Sequence, residues 1–480
     1  MPEQLSVAVI GAGMAGRSHA AGYRMVNTVF GEGLPPIRLA AVADANTALA
    51  EDGARRYGYE KALPSWEAVA EDPSIDAVSI VVGNALHRPI AEALVAAGKH
   101  VLCEKPLAGS MEDGRAMVEL ERTADVVTAV GYTFRRSPAI AAIRDHVRNG
   151  ELGEMTLFNG RYWCDYACDP GGPLSWRFRG APGSGALGDI GAHVIDVAEY
   201  ICGPIVSVSG GALSTQIPKR PLPLGAVVGH GAAPVSSEVG EVENEDTAMF
   251  SARFASGLEA SFSVSRTAFG MPNGLAFDVY GLGGRASFDW HRPAEYLFDD
   301  TQPEARTRGV RQVIVGPQMP YFRGGYPMEA PGVGIGNQED FIYQCRAFLD
   351  QIAGTPDPLP ANATFADALH TMGIIEAIVR SAQSDGAAVP VAASVAGASG
   401  EPAAPTNPPA PLNWKATCDG SQARRLHRLP ARPPPRRRPG SAQGQRPDLR
   451  GGQHRRVHPV SALPSRPAAG LRAGPRGLPR

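Results

Sequence analysis

Leu5-Ser6-Val7-Ala8-Val9-Ile10-Gly11-Ala12-Gly13-Met14-Ala15-Gly16 is the stretch on which the fold turns. Residues 5–10, apolar apart from Ser6, read as a strand buried on both faces. Three glycines spaced G-x-G-x-x-G follow, and a helical pattern opens behind them through about residue 28. Each glycine has its own reason to be there. The first permits a tight turn, the second lets backbone approach a pyrophosphate, and the third allows close helix–strand packing. The anion would rest at the helix N-terminus, where free N–H groups and the dipole favour negative charge. Gly11, Ala12, Gly13, Met14, Ala15 and Gly16 are therefore expected to hold a dinucleotide.

Asp44 ends the next apolar run, 37–43. A carboxylate there accepts hydrogen bonds from the adenosine ribose hydroxyls and repels a 2′-phosphate. No Arg follows in Ala45-Asn46. NAD, rather than NADP, is the expected cofactor. Asp44 lies farther along than the usual spacing, a displacement we assign to the loop 31–36.

Downstream, strands are expected over 76–82, 100–103 and 126–131, and helices over 87–97 and 110–123. Strand–helix alternation with continuous apolar strands implies a parallel sheet covered on both faces. Residues 1–131 thus read as a doubly wound Rossmann domain. After Gly131 the grammar changes. Helices at 137–149 and 186–201 flank a strand at 155–163. Alternating strands at 247–254 and 258–265 form a hairpin across Ser256-Gly257, and 276–281 pairs with 285–290. Helices return at 339–352 and 365–384. Residues 132–390 read as an α+β domain with a large, mainly antiparallel sheet, for substrate binding and oligomerisation. Residues 218–240, rich in Pro, Gly and Ala, read as a loop. The class is α/β overall.

Residues 391–480 hold 15 Arg, one Lys and three acids, which leaves 30 basic and 45 acidic residues in 1–390. The tail has neither Phe nor Tyr and cannot bury enough apolar surface to offset its chain entropy. It is expected to be disordered, and from about Ala416 it reads as an out-of-frame translation of GC-rich DNA. A basic tail could touch nucleic acid or anionic lipid, but neither nucleic acid nor a membrane is an expected partner. No apolar run is long enough to cross a bilayer, and Met1-Pro2-Glu3-Gln4 has no basic leader. The expected location is the cytoplasm. Six scattered cysteines, with no second Cys/His pair at zinc spacing, point to reduced thiols and no metal.

Two further segments carry chemistry. Lys105, in Cys103-Glu104-Lys105-Pro106, stands at the carboxyl end of a Rossmann strand, where ligands bind. Its ammonium can hold an oxygen that gains or loses hydride. The plainer reading is a surface ion pair with Glu104. In Gly188-Asp189-Ile190-Gly191-Ala192-His193, Asp189 and His193 share a helix face four residues apart, with Asp196 near it. Histidine suits proton transfer from an alcohol. The plainer reading is a capping Asp and a surface His.

The glycine loop, the run from Ala97 to Pro106 ending in Glu-Lys-Pro, and Gly188–His193 together resemble the Gfo/Idh/MocA oxidoreductases over about residues 6–391. Within that family, 173–178 followed by 183–193 looks most like levoglucosan dehydrogenases and related sugar or inositol dehydrogenases. The resemblance implies Lys105, Asp189 and His193 as the catalytic trio, with Glu104 and Lys105 also on the nicotinamide side. It implies Arg135, Trp176 and Arg177 beside the trio in the substrate cleft. The family's Thr-Pro-Asn segment is here Val82-Gly83-Asn84-Ala85-Leu86-His87. Asn84 and His87 match and are expected cofactor contacts; Thr and Pro are replaced.

The implied activity is NAD-dependent oxidation of a secondary ring hydroxyl of a sugar, anhydrosugar or inositol to a ketone, by a homodimer or homotetramer. Two alternatives stay open at this point: an NAD-dependent glycosidase that borrows and returns hydride, and a sugar-sensing regulator.

Overall fold

The computed structural model describes residues 3–392 apart from 32, 226, 228–232, 301–308, 323–329 and 334. The expectation for the tail lies, from residue 393 onward, outside the described residues.

The chain begins β1 (Leu5–Ile10), α1 (Met14–Phe30), β2 (Ile37–Ala43), α2 (Thr47–Tyr57), β3 (Lys61–Leu63), α3 (Trp66–Glu71) and β4 (Ala77–Ile80). It continues α4 (His87–Ala96), β5 (His100–Glu104), α5 (Met111–Thr123) and β6 (Thr128–Gly131). The six strands are parallel in the order β3-β2-β1-β4-β5-β6. Every residue of β1 is buried, as its apolar run requires. The strand order reverses between β1 and β4, which opens a crevice beyond the carboxyl ends of the strands. Gly11 follows β1 and Lys105 follows β5, so both stand at that rim.

Differences from expectation are local. The strand expected at 76–82 ends at Ile80. Between Asp44 and Asp76 sequence periodicity shows little, because β3 is a three-residue edge strand with two exposed positions. The ends of α2 were nevertheless written locally. Asn46 caps it, accepting from the Ala48 N–H, and Gly58 closes it in the left-handed conformation.

The second region contains α6 (Pro138–Arg148), β7 (Met155–Trp163), α7 (Ala192–Cys202), β8 (Ile205–Ser214), β9 (Lys219–Pro223) and β10 (Val235–Glu241). Next come β11 (Thr247–Phe254), β12 (Glu259–Ser265), β13 (Gly274–Gly281), β14 (Gly284–Asp289), β15 (Glu295–Asp300) and β16 (Arg311–Ile314). The region closes with α8 (Asn337–Ala353), α9 (Phe365–Gln383) and β17 (Val389–Pro390). Nine strands form one sheet in the order β16-β15-β14-β13-β7-β12-β11-β8-β17. All neighbours are antiparallel except β7 and β12. Alternation decides its faces. Phe158, Phe262 and Phe277 point into the core with Val194 and Ile195 of α7, while Leu157 and Met249 are exposed on the other face.

Residues 218–240 are not a plain loop. Strands β9 and β10 pair as an antiparallel ribbon, Glu241 opposite Lys219 and Val239 opposite Pro221. Proline is tolerated because a two-stranded ribbon needs donors on one side only. The buried Arg220 ties the ribbon down, donating to the carbonyls of Ala167 and Asp169 at 2.6 and 2.7 Å.

Helices α8 and α9 return to the Rossmann sheet. Helix α8 lies so close to α1 that a Cβ on Gly22 would sit 2.9 Å from the Cys345 Sγ. The described residues form one compact unit.

Candidate active site

The glycine loop divides its labour as its spacing predicts. Gly11 has φ of +100°, and a Cβ there would lie 2.0 Å from the Val81 carbonyl oxygen. A Cβ on Gly16 would lie 1.8 Å from the Gly11 oxygen. These two glycines serve the fold. Gly13 differs, since a Cβ there would meet nothing within 4 Å. It is the N-cap of α1 and has no capping side chain, so the leading N–H groups at Met14 and Ala15 face open space. A dinucleotide's pyrophosphate fits this cradle. Asp44 closes its side, one carboxylate oxygen accepting from the Ala12 N–H and the other from the Asn46 N–H, each at 2.8 Å.

Lys105 is not paired with Glu104 on the surface. Glu104 turns inward, one oxygen 2.9 Å from the buried His19 Nε2 and the other accepting from the Lys105 backbone N–H. The Lys105 Nζ instead donates to the Asp189 backbone oxygen at 2.7 Å and lies 3.7 Å from the Asp189 Oδ1. The Asp189 Oδ2 accepts from the Tyr166 hydroxyl at 2.8 Å and lies 3.7 Å from the Arg177 Nε. Trp176, largely exposed, stacks under the Arg177 guanidinium, with its centroid 4.3 Å away.

The helix expected at 186–201 does not run evenly. Leu187–Gly191 form a π-turn, and α7 begins only at Ala192. A π-turn closes i to i+5, so Asp189 is rotated off the α-helical register of His193 and its carbonyl meets Lys105. His193 is half-buried against Phe134, Tyr132 and Tyr162, with ring centroids at 5.1, 6.2 and 6.1 Å. Its Nδ1 is buried without a hydrogen-bond partner among the described residues. Burial, then the Lys105 charge, hold His193 well below its ordinary value of 6.5, with partial opposition from Asp189. His193 is therefore a neutral imidazole at neutral pH.

Three expectations for this site need correction. Arg135 does not join the trio: it is committed to Asp196, with its shortest contact at 2.6 Å, and to Asp367 at 3.2 Å. Asp196 lies buried under that guanidinium, off the reactive face, because a buried carboxylate requires a counter-charge. His87 is fully buried. Its Nε2 lies 3.1 Å from the Val82 oxygen and its Nδ1 3.0 Å from the Pro106 oxygen. It braces the segment bearing Lys105 instead of facing the cofactor cleft. Asn84 stays half-buried on a short 3-10 turn at the crevice. Tyr166, Tyr162 and His19 were missed. Nothing in local sequence marks them, since their partners lie 23 to 111 residues away.

Comparison with known proteins identifies the family. The family model for the GFO/IDH/MocA oxidoreductases, NAD-binding Rossmann fold, matches residues 5–132, and the GFO/IDH/MocA C-terminal domain matches 140–287. The levoglucosan dehydrogenase of Pseudarthrobacter phenanthrenivorans is 37% identical over 79% of this chain and 96% of its own length. The myo-inositol 2-dehydrogenase of Thermotoga maritima is 27% identical over 63% of this chain and 81% of its own. A solved levoglucosan dehydrogenase in complex with NADH superposes with a TM-score of 0.73 at 35% identity, covering 81% of this chain and 99% of that one. This chain belongs to the GFO/IDH/MocA oxidoreductase family. It is an NAD-binding oxidoreductase, related to the dehydrogenases of sugars, anhydrosugars and inositols.

Proposed function

We propose that this protein oxidises a secondary ring hydroxyl of a sugar, anhydrosugar or inositol to a ketone. The observation that carries the reading is the Lys105 ammonium held 2.7 Å from the Asp189 oxygen, beside a neutral His193. NAD, when bound, accepts the hydride. His193 Nε2 takes the proton of the reacting hydroxyl. Lys105 donates to the same oxygen and offsets the negative charge that grows there. Asp189, oriented by Tyr166 and Arg177, accepts from a neighbouring hydroxyl and supports the charge His193 acquires. The aromatic wall of Tyr132, Phe134 and Tyr162 limits water beside His193. Several polar groups suit a polyol, because each unmet hydroxyl would weaken binding.

Relatives named levoglucosan dehydrogenase and inositol dehydrogenase support this substrate class. A homodimer or homotetramer formed over the exposed face of the nine-stranded sheet would cover Leu157 and Met249. A cytoplasmic location suits an enzyme with buried, reduced thiols at Cys103, Cys164 and Cys345. Among the described residues, no helix is long and apolar enough to cross a membrane. The test is a panel of levoglucosan, myo-inositol, scyllo-inositol and aldoses with NAD, followed at the NADH absorbance. Stoichiometric NADH from at least one of them is expected; none from any of them refutes the proposal.

A further inference from the structure

Four consecutive residues just before β11, Glu243-Asn244-Glu245-Asp246, hold the segment 177–187 beside the site, Asp246 through Arg266. The Glu243 carboxylate accepts from the Arg179 Nη1 at 2.9 Å and from the Gly180 N–H at 2.7 Å. The Asn244 amide donates to the carbonyls of Arg177 and Arg179, both at 3.1 Å, and to the Ser184 hydroxyl at 3.2 Å. The buried Glu245 accepts from the N–H groups of Gly183 and Leu187, at 2.8 and 2.9 Å. Asp246 holds the Arg266 Nε at 2.8 Å, and a second arm of Arg266 donates to the same Arg177 carbonyl at 2.9 Å.

Three of these bonds bear directly on Arg177 and Asp189: two end on the Arg177 carbonyl and one on the Leu187 N–H. The Arg177 carbonyl receives two donors, which fixes the Cα from which its guanidinium reaches Asp189. Leu187 opens the π-turn that bears Asp189, and Glu245 holds its N–H. The fit is tight: a Cβ on Gly185 would sit 2.3 Å from the Glu245 carbonyl oxygen. None of these four side chains bonds to the glycine loop, Lys105 or His193 in the contacts above. The device reaches Lys105 only through the Asp189 carbonyl.

We infer that residues 243–246 form a socket that sets the position of Arg177 and Asp189 toward substrate, with Asn244 and Glu245 as its positioning residues. This rests on the dehydrogenase reading above. A buried carboxylate that accepts two backbone N–H groups is a strong restraint, because losing it strands both donors. The socket therefore governs polyol recognition and leaves the cofactor alone.

The test compares Glu245→Ala, Glu245→Gln and Asn244→Ala with the wild-type full chain. With a polyol from the panel, Glu245→Ala is expected to raise KM about tenfold. The NADH Kd should stay within about twofold, and the glutamine variant, which keeps one acceptor, should recover part of the loss. Hydrogen–deuterium exchange of peptides spanning 180–191, measured with NADH alone, should quicken in the alanine variant. Should Glu245→Ala not fold, Glu245→Gln with Asn244→Ala carries the same comparison. An unchanged KM overturns the inference, and so does an NADH Kd that rises in step with KM. If wild-type protein oxidises no polyol, the dehydrogenase reading falls, and the exchange measurement still decides the socket: unchanged exchange over 180–191 overturns it.

Discussion

The Lys105 ammonium donates to the backbone oxygen of Asp189, 84 residues further along the chain, at 2.7 Å. That single bond joins the carboxyl end of a Rossmann strand to the π-turn before α7. It makes one reactive edge out of two regions.

Replacing Lys105 tests the chemistry without disturbing the cofactor cradle. Lys105→Ala is expected to lower kcat by about 10²- to 10⁴-fold, with the NADH Kd changed by less than about threefold. Steady-state kinetics beside NADH fluorescence titration measure both. Turnover near the wild-type rate would remove Lys105 from the mechanism.

The glycine loop makes a sharper prediction, since its glycines differ in kind. Gly11→Ala forces a side chain onto a backbone at φ of +100° and against the Val81 oxygen. It should destabilise the fold by more than about 1 kcal/mol. Gly13→Ala has room and should melt near the wild type, yet bind NADH more weakly by about tenfold, because the added methyl intrudes where the pyrophosphate lies. Thermal melts and titrations on the two variants decide it. Equal melting temperatures for both variants would contradict the division.

We propose that Asp44 controls the choice between cofactors. Removing its charge in Asp44→Ala also strips the Ala12 N–H of its acceptor. The ratio of kcat/KM for NAD over NADP should fall by about tenfold or more. An unchanged ratio would show that the discrimination lies elsewhere.

The pH dependence follows from His193. Its folded pKa is depressed, so the neutral, proton-accepting form persists as pH falls through 6.5 and is lost only well below that value. A kcat/KM profile should therefore show no histidine limb between about pH 8 and 6.5. A limb at or above 6.5 that vanishes in His193→Asn would contradict the burial argument.

Under the site, the Arg135–Asp196 pair is a matter of stability. Asp196→Ala leaves a buried guanidinium with, among the described residues, Asp367 as its remaining ion-pair partner and is expected to cost about 3–5 kcal/mol in denaturant unfolding. Arg135→Met with Asp196→Leu should cost less than the single variant. A single variant as stable as wild type would show that Asp367 alone suffices.

Local order was readable wherever neighbours in sequence are neighbours in space. Gly11, Gly13 and Gly16 announce strand, turn and helix within twelve residues, and the exposed–buried alternation of 247–254 announces a one-sided sheet strand. The ribbon of β9 and β10 was unreadable, because its prolines mimic a loop and its anchor, Arg220, binds carbonyls about fifty residues earlier. The π-turn was unreadable for a related reason. Gly188 and Gly191 allow it, but Glu245, 58 residues downstream of Leu187, holds its entry.

The sequence alone marked the glycine loop and the acid Asp44 behind the second strand, while resemblance to the family singled out Lys105, Asp189 and His193. The loop and Asp44 depend on residue type and short spacing, which backbone sterics translate directly into local structure. Only the tertiary structure decided how the three meet. It turned Glu104 inward to His19, withdrew Arg135 and His87 into buried networks, and brought Tyr166 and Arg177 to Asp189. Burial and charge pairing are settled by the whole packed chain. The same side chain can be a surface ion or a buried brace, and the neighbours that choose between these roles are distant in sequence.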